Sequence, residues 1–134
     1  MVGTEWLVDA FGCPASVLTD LRAMQGVCEE IIRDLDLKVL GSPHWHQFPS
    51  PSGVTGLYLL SESHLSVHTY PEYETATFNL YCCRERAAWR WEEGLTELLL
   101  ATEVRTISFP RGIPSLADRK ASPGSGAVQR GDGV

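Results

Sequence analysis

Apolar positions along the chain keep two different periods, and the changes between them mark out the elements. From Ala15 to Leu37, Val17, Leu18, Leu21, Met24, Val27, Cys28, Ile31, Ile32 and Leu35 recur at steps of three and four. That spacing gathers them on one face of an amphipathic helix. Asp20, Arg22, Glu29, Glu30, Arg33 and Asp34 take the other face. Ala87, Trp91, Leu95, Leu98 and Leu99 repeat the pattern and predict a second helix over Arg86 to Ala101. Elsewhere the chain reads as strand: Glu5 to Phe11, Lys38 to Phe48, Val54 to Leu60, Ser63 to Tyr70, Thr75 to Cys83 and Val104 to Phe109 are β-rich, extended or alternating. Gly12-Cys13-Pro14 and the Pro49-to-Gly53 cluster supply turns. The order β-α-β-β-β-β-α-β predicts an α+β fold, a two-layer sandwich of an antiparallel β-sheet with two helices packed on one face. A single domain is expected at 1–112. From residue 113 to 134 Pro, Gly, Ser and Ala dominate with few apolar anchors, which predicts a disordered tail.

Composition narrows the function classes. With 134 residues, 43% hydrophobic and 21% charged, the chain suits one globular domain and leaves no room for separate cofactor and substrate modules. No apolar run reaches the roughly 20 residues of a membrane helix. The start, Met1-Val2-Gly3-Thr4-Glu5, has no basic cluster ahead of an apolar stretch, so a cytoplasmic protein without a membrane partner is expected. Net charge is -6 and uneven: seven basic against fifteen acidic residues to Pro110, then four against two. Scattered cations on an acidic body argue against a nucleic-acid partner and suit a cationic small molecule. Cys82 and Cys83 are adjacent and Cys13 and Cys28 lie in or beside the first helix, so reduced thiols are expected.

The densest run of reactive residue types is Ser61 to Glu72, SESHLSVHTYPE. Three plain readings compete. His64, Ser66, His68 and Tyr70 could be the solvent face of an edge strand. Serine beside histidine suits nucleophilic catalysis, but Ser63 sits in no G-x-S-x-G elbow and spacing identifies no acidic partner. His44, His46, His64 and His68 could bind a metal, though without a recognised ligand spacing.

Glu62-Ser63-His64-Leu65-Ser66-Val67-His68-Thr69-Tyr70-Pro71-Glu72 resembles the self-cleavage motif of the prokaryotic-type S-adenosylmethionine decarboxylases, small pyruvoyl-dependent enzymes of polyamine synthesis. Leu7-Val8-Asp9-Ala10-Phe11-Gly12-Cys13, Gly53-Val54-Thr55-Gly56, Asn79 to Cys83 and Ser108 to Gly112 resemble further stretches of that family, so the likeness runs from about residue 4 to 112. A decarboxylase needs an electron sink, and no unmodified side chain here supplies an electrophilic carbonyl.

The resemblance implies a proenzyme cut between Glu62 and Ser63, giving a β chain (1–62) and an α chain from 63. The Ser63 hydroxyl would attack the Glu62 carbonyl, and elimination would leave a pyruvoyl group at position 63, with no metal. That group would decarboxylate S-adenosylmethionine through a Schiff base, supplying the aminopropyl donor for spermidine. By the same resemblance His68 is the processing base, suited by a near-neutral pKa. Thr55 holds the processing intermediate with its hydroxyl, and Cys83 protonates the substrate carbon. Glu72 binds the ribose hydroxyls, while Phe48, Tyr70 and Trp45 are stacking rings. The family assembles as dimers or larger oligomers. Five residues separate Ser63 from His68, so a regular strand sends them to opposite faces unless the chain bends at Ser63. Two alternatives stay open: a pyruvoyl-dependent arginine or ornithine decarboxylase, and an uncleaved regulatory homologue.

Overall fold

A computed structural model describes residues 1–114, and the expected tail lies almost wholly outside the described residues. Six strands form one sheet: β1 (Gly3–Phe11), β2 (His44–Gln47), β3 (Val54–Leu60), β4 (Ser63–Tyr70), β5 (Thr75–Cys82) and β6 (Glu103–Arg111). Their order is β2-β3-β4-β5-β1-β6, and every neighbouring pair is antiparallel. Three helices accompany the sheet, α1 (Ala15–Leu18), α2 (Leu21–Asp34) and α3 (Trp91–Leu99), with a 3-10 turn at Pro71–Tyr73. The α+β expectation holds, as does the meander of β3, β4 and β5.

Strand alternation puts one face of the sheet into the core. Trp6, Val8 and Ala10 of β1, Leu65 and Val67 of β4, and Ala76, Phe78, Leu80 and Cys82 of β5 are buried. They join one cluster with Met24, Val27, Cys28 and Ile31 of α2 and Trp91, Leu95 and Leu99 of α3. Burying each large aliphatic side chain contributes about 1.5–3 kcal/mol. On the opposite face Leu7, Leu57, Leu59, Ile107 and Phe109 are 38–62% exposed.

Three expectations need correction. The helix expected over Ala15 to Leu37 is broken after Leu18, because the Asp20 carboxylate accepts from the Ala23 amide (3.1 Å) and caps a fresh start at Leu21. The second helix begins at Trp91 rather than Arg86. Residues 86–90 are drawn elsewhere: Trp89 donates to the Asp34 carboxylate (2.9 Å), and its ring fills the space that a Cβ on Gly94 would need. Lys38 to Phe48 is not one strand. Val39 makes a single bridge to Leu60, and regular pairing resumes only at β2.

Candidate active site

The two ends of β4 carry two different sets of side chains. At its start, the turn Ser61-Glu62 closes the hairpin from β3 and delivers Ser63, whose backbone φ is +145°. That conformation favours glycine and is strained for serine. The register of β4 is otherwise unbroken, so the bend at Ser63 replaces a bulge. The Ser63 hydroxyl lies 3.3 Å from Nδ1 of His64.

The carbonyl oxygen of Glu62 accepts the Cys83 amide at 2.8 Å, so the carbonyl of the Glu62–Ser63 bond already faces a main-chain donor. This contact follows from register: Ser63 pairs with Cys82, and the next residue of each strand end falls beside the other. The adjacent thiols part company here. Cys82 is buried, and burial with the nearby Glu62 carboxylate pushes its thiol up to about 11. Cys83 lies one residue past the strand and is exposed.

The Glu62 side chain turns the other way, into the protein, with 5% of its surface exposed. Its Oε1 accepts from Arg86 Nε (2.9 Å) and from Arg86 Nη2, while Arg86 Nη1 donates to the Leu35 carbonyl (2.6 Å) at the end of α2. Arg84 Nε lies 3.6 Å from Oε2.

Near the other end of β4, His68 pairs in register with Thr55 of β3, and the Thr55 hydroxyl lies 3.0 Å from His68 Nδ1. Both border a cavity of about 290 Å³ also lined by Phe48, Tyr70 and Glu72. Thr69 fixes this corner, accepting from the Val54 amide and donating to the Leu18 carbonyl, both at 2.9 Å. Phe48 and Tyr70 are 50% and 42% exposed, leaving ring surface for a ligand. Trp45 does not belong with them. Its ring packs over Gly56, where a Cβ would lie 2.6 Å away, and its indole donates to the Tyr58 hydroxyl at 3.2 Å.

Along the open face between the two ends runs a depression of about 640 Å³ lined by Glu5, Asp9, His64, Ser66, His68, Asn79 and Arg105 among others. The Asn79 amide donates to Glu5 Oε2 at 2.6 Å, and with Arg111 it holds the Glu5 carboxyl below the usual range. His46 lies edge-on to Phe48 at 4.5 Å. Among the described residues no group of three or more His, Cys, Asp or Glu side chains is arranged to hold a metal.

Thus the fold gathers Glu62, Ser63 and Cys83 at one point and Phe48, Thr55, His68, Tyr70 and Glu72 at another. Five residues of strand, roughly 16 Å, separate Ser63 from His68. Sequence reasoning did not find Arg84 and Arg86 or the pairing of His64 with Ser63. The signal for the arginines was present: three of the seven basic residues before Arg111 fall within 84–90, immediately after Cys83.

Comparison with known proteins bears on the whole chain. Residues 4–112 match the family model of S-adenosylmethionine decarboxylase. A protein of Moorella thermoacetica named S-adenosylmethionine decarboxylase proenzyme is 30% identical over 113 residues, covering 84% of this chain and 89% of the relative. One of the same name from Picrophilus torridus is 34% identical over 112 residues, 83% of this chain and 85% of the relative. The crystal structure of the adenosylmethionine decarboxylase from Aquifex aeolicus superposes with a TM-score of 0.73 at 29% identity, covering 86% of this chain and 94% of that one.

Proposed function

The chain belongs to the S-adenosylmethionine decarboxylase family, and we propose that it matures by cutting itself between Glu62 and Ser63 and then decarboxylates S-adenosylmethionine. The observation that carries this reading is the junction itself: a strained Ser63 whose neighbouring carbonyl is held by the Cys83 amide. Strain is relieved when the Ser63 hydroxyl takes the carbonyl, and the amide is placed for the negative charge that develops on its oxygen. The residues fit a pyruvoyl group, since it forms from Ser63 alone and the exposed Cys83 stands beside it. When formed, that group supplies an electron sink for the carbanion left by carbon dioxide. Cys83 delivers a proton to the substrate carbon, and Phe48, Tyr70 and Glu72 bind the rest of S-adenosylmethionine, aromatic faces meeting a cationic sulfonium. Because the relatives are named for S-adenosylmethionine, arginine and ornithine give way as substrates.

His68 serves Ser63 from a second copy. Roughly 16 Å of strand separates them within one chain, and Leu57, Leu59, Leu7, Ile107 and Phe109 offer the open sheet face an apolar surface to bury. Two copies packed through that face in opposed directions bring the start of one β4 toward the end of the other. Each mature site then takes Ser63 and Cys83 from one protomer and Thr55, His68, Phe48, Tyr70 and Glu72 from its partner. The working unit is a dimer of cleaved chains, 1–62 with 63 onward, in the cytoplasm, making the aminopropyl donor for spermidine.

Intact-mass measurement of the purified protein should show two chains split at Glu62–Ser63, with carbon dioxide released from S-adenosylmethionine. A single full-length species resistant to hydroxylamine refutes self-cleavage. Ser63→Ala and His68→Ala should each stay whole when made alone. Made together with different tags, the His68→Ala chain should be cut by its partner's histidine. If it stays whole beside a wild-type protein that cleaves, the shared site is wrong.

A further inference from the structure

Glu62 is the only charged residue in the buried set among the described residues, and it lies on the amino side of the bond proposed to break. Two guanidinium groups converge on its single carboxylate. Arg86 occupies Oε1 with two donors and is strapped to the Leu35 carbonyl by a third. Oε2 is buried and accepts no hydrogen bond, with Arg84 at 3.6 Å and its own side chain 76% exposed. A buried carboxylate is balanced by one arginine, so the second is an excess cation in the uncut protein. Cys83, whose amide holds the Glu62 carbonyl, immediately precedes Arg84 and anchors that arginine next to the Glu62 main chain.

Self-cleavage, on the reading above, makes a second carboxylate on this same residue. The Ser63 oxygen bonds to the Glu62 carbonyl carbon as the peptide C–N bond breaks, giving an ester and a free Ser63 amine. A base then takes the Ser63 α proton, the released electron pair forms a Cα–Cβ double bond, and the Cβ–O bond breaks. The oxygen keeps the Cβ–O bonding pair and leaves as the α-carboxylate of Glu62. Water finally replaces the amine, which departs as ammonia. Charge therefore appears on the main-chain carboxyl of Glu62 during the elimination, on the residue whose side-chain carboxylate the two arginines already hold. We propose that Arg86 is a positioning residue for self-cleavage and that Arg84 and Arg86 together receive the terminal carboxylate as it leaves. Before the cut the pair counts two cations to one anion, and after it two to two.

The proposal rests on the self-cleavage reading, and its test separates the two. Removing Arg86 alone strands a buried charge and can unfold the protein, so the informative background is Glu62→Gln, which keeps shape and removes the side-chain carboxylate. In that background Arg86→Gln should slow the cut by about tenfold or more, with Arg84→Gln adding to the loss. The stalled full-length chain should be split by hydroxylamine, because the ester accumulates when its carboxylate leaves slowly. Cleavage at the Glu62→Gln rate would show that the arginines serve only the side chain. Slowed cleavage with a hydroxylamine-resistant chain would show a purely structural role. Either result overturns the proposal while a cleaving wild-type protein leaves the functional reading standing. A wild-type chain that never cleaves strikes the functional reading and the proposal with it.

Discussion

The two faces of the sheet are built from the same strands yet answer to different demands. On the helix side Phe78, Leu65 and Leu80 are at most 3% exposed and close the core. One residue along, Asn79, His64 and Ser66 line the open depression, and Leu57 and Leu59 stand half or more exposed. Folding is settled by the first face, leaving the second free to hold carboxylates, imidazoles and apolar side chains that a monomer does not need. A strand's period of two is what lets neighbouring residues follow such different rules.

Unfolding by urea, followed in the uncut Ser63→Ala protein, measures that difference. Phe78→Ala should lose about 3–5 kcal/mol, because it empties a packed site. A loss no greater than that of an open-face change would erase the contrast. Asn79→Ala should cost about 1 kcal/mol at neutral pH by releasing the Glu5 carboxylate. Glu5 titrates lower in the folded protein, so its contribution is present above the unfolded pKa and fades as pH falls through the folded one. The gap between Asn79→Ala and its parent should therefore close from about pH 5 downward; a gap constant to pH 3 would separate Asn79 from Glu5. Leu59→Asp should change monomer stability least, within about 0.5 kcal/mol. Sedimentation should nonetheless show it shifting a dimer toward monomer, and an unchanged dimer would remove the open face from the interface.

Strands β3 and β4 were legible to the residue, Val54 to Leu60 as a β-rich run after a turn cluster and Ser63 to Tyr70 by its alternation, and the α+β layout followed from periodicity. Helix ends were not. The break at Thr19 depends on the Asp20 cap, and the late start at Trp91 depends on where Trp89 and Arg86 are pulled, both long-range effects. Around the site, the motif pointed to Glu62, Ser63 and His68 as candidates but not to their separation, which needs the unbroken register of β4. Arg84 and Arg86 carried a local signal, a cluster of cations after Cys83, whose meaning appears only once β4 and β5 are paired.

The strand order bears on the proposed cut. β1, β2 and β3 precede the Glu62–Ser63 bond and β4, β5 and β6 follow it, yet β1 sits between β5 and β6, and β3 sits against β4. The two products of that cut would thus be interleaved like the fingers of clasped hands, joined along three ladders of backbone hydrogen bonds. Breaking one covalent link releases nothing, and pulling the pieces apart means dismantling the whole sheet. Once separated by denaturant, they would have to find each other in solution before either could refold, so the proposed maturation would convert a one-body folding problem into a concentration-dependent one.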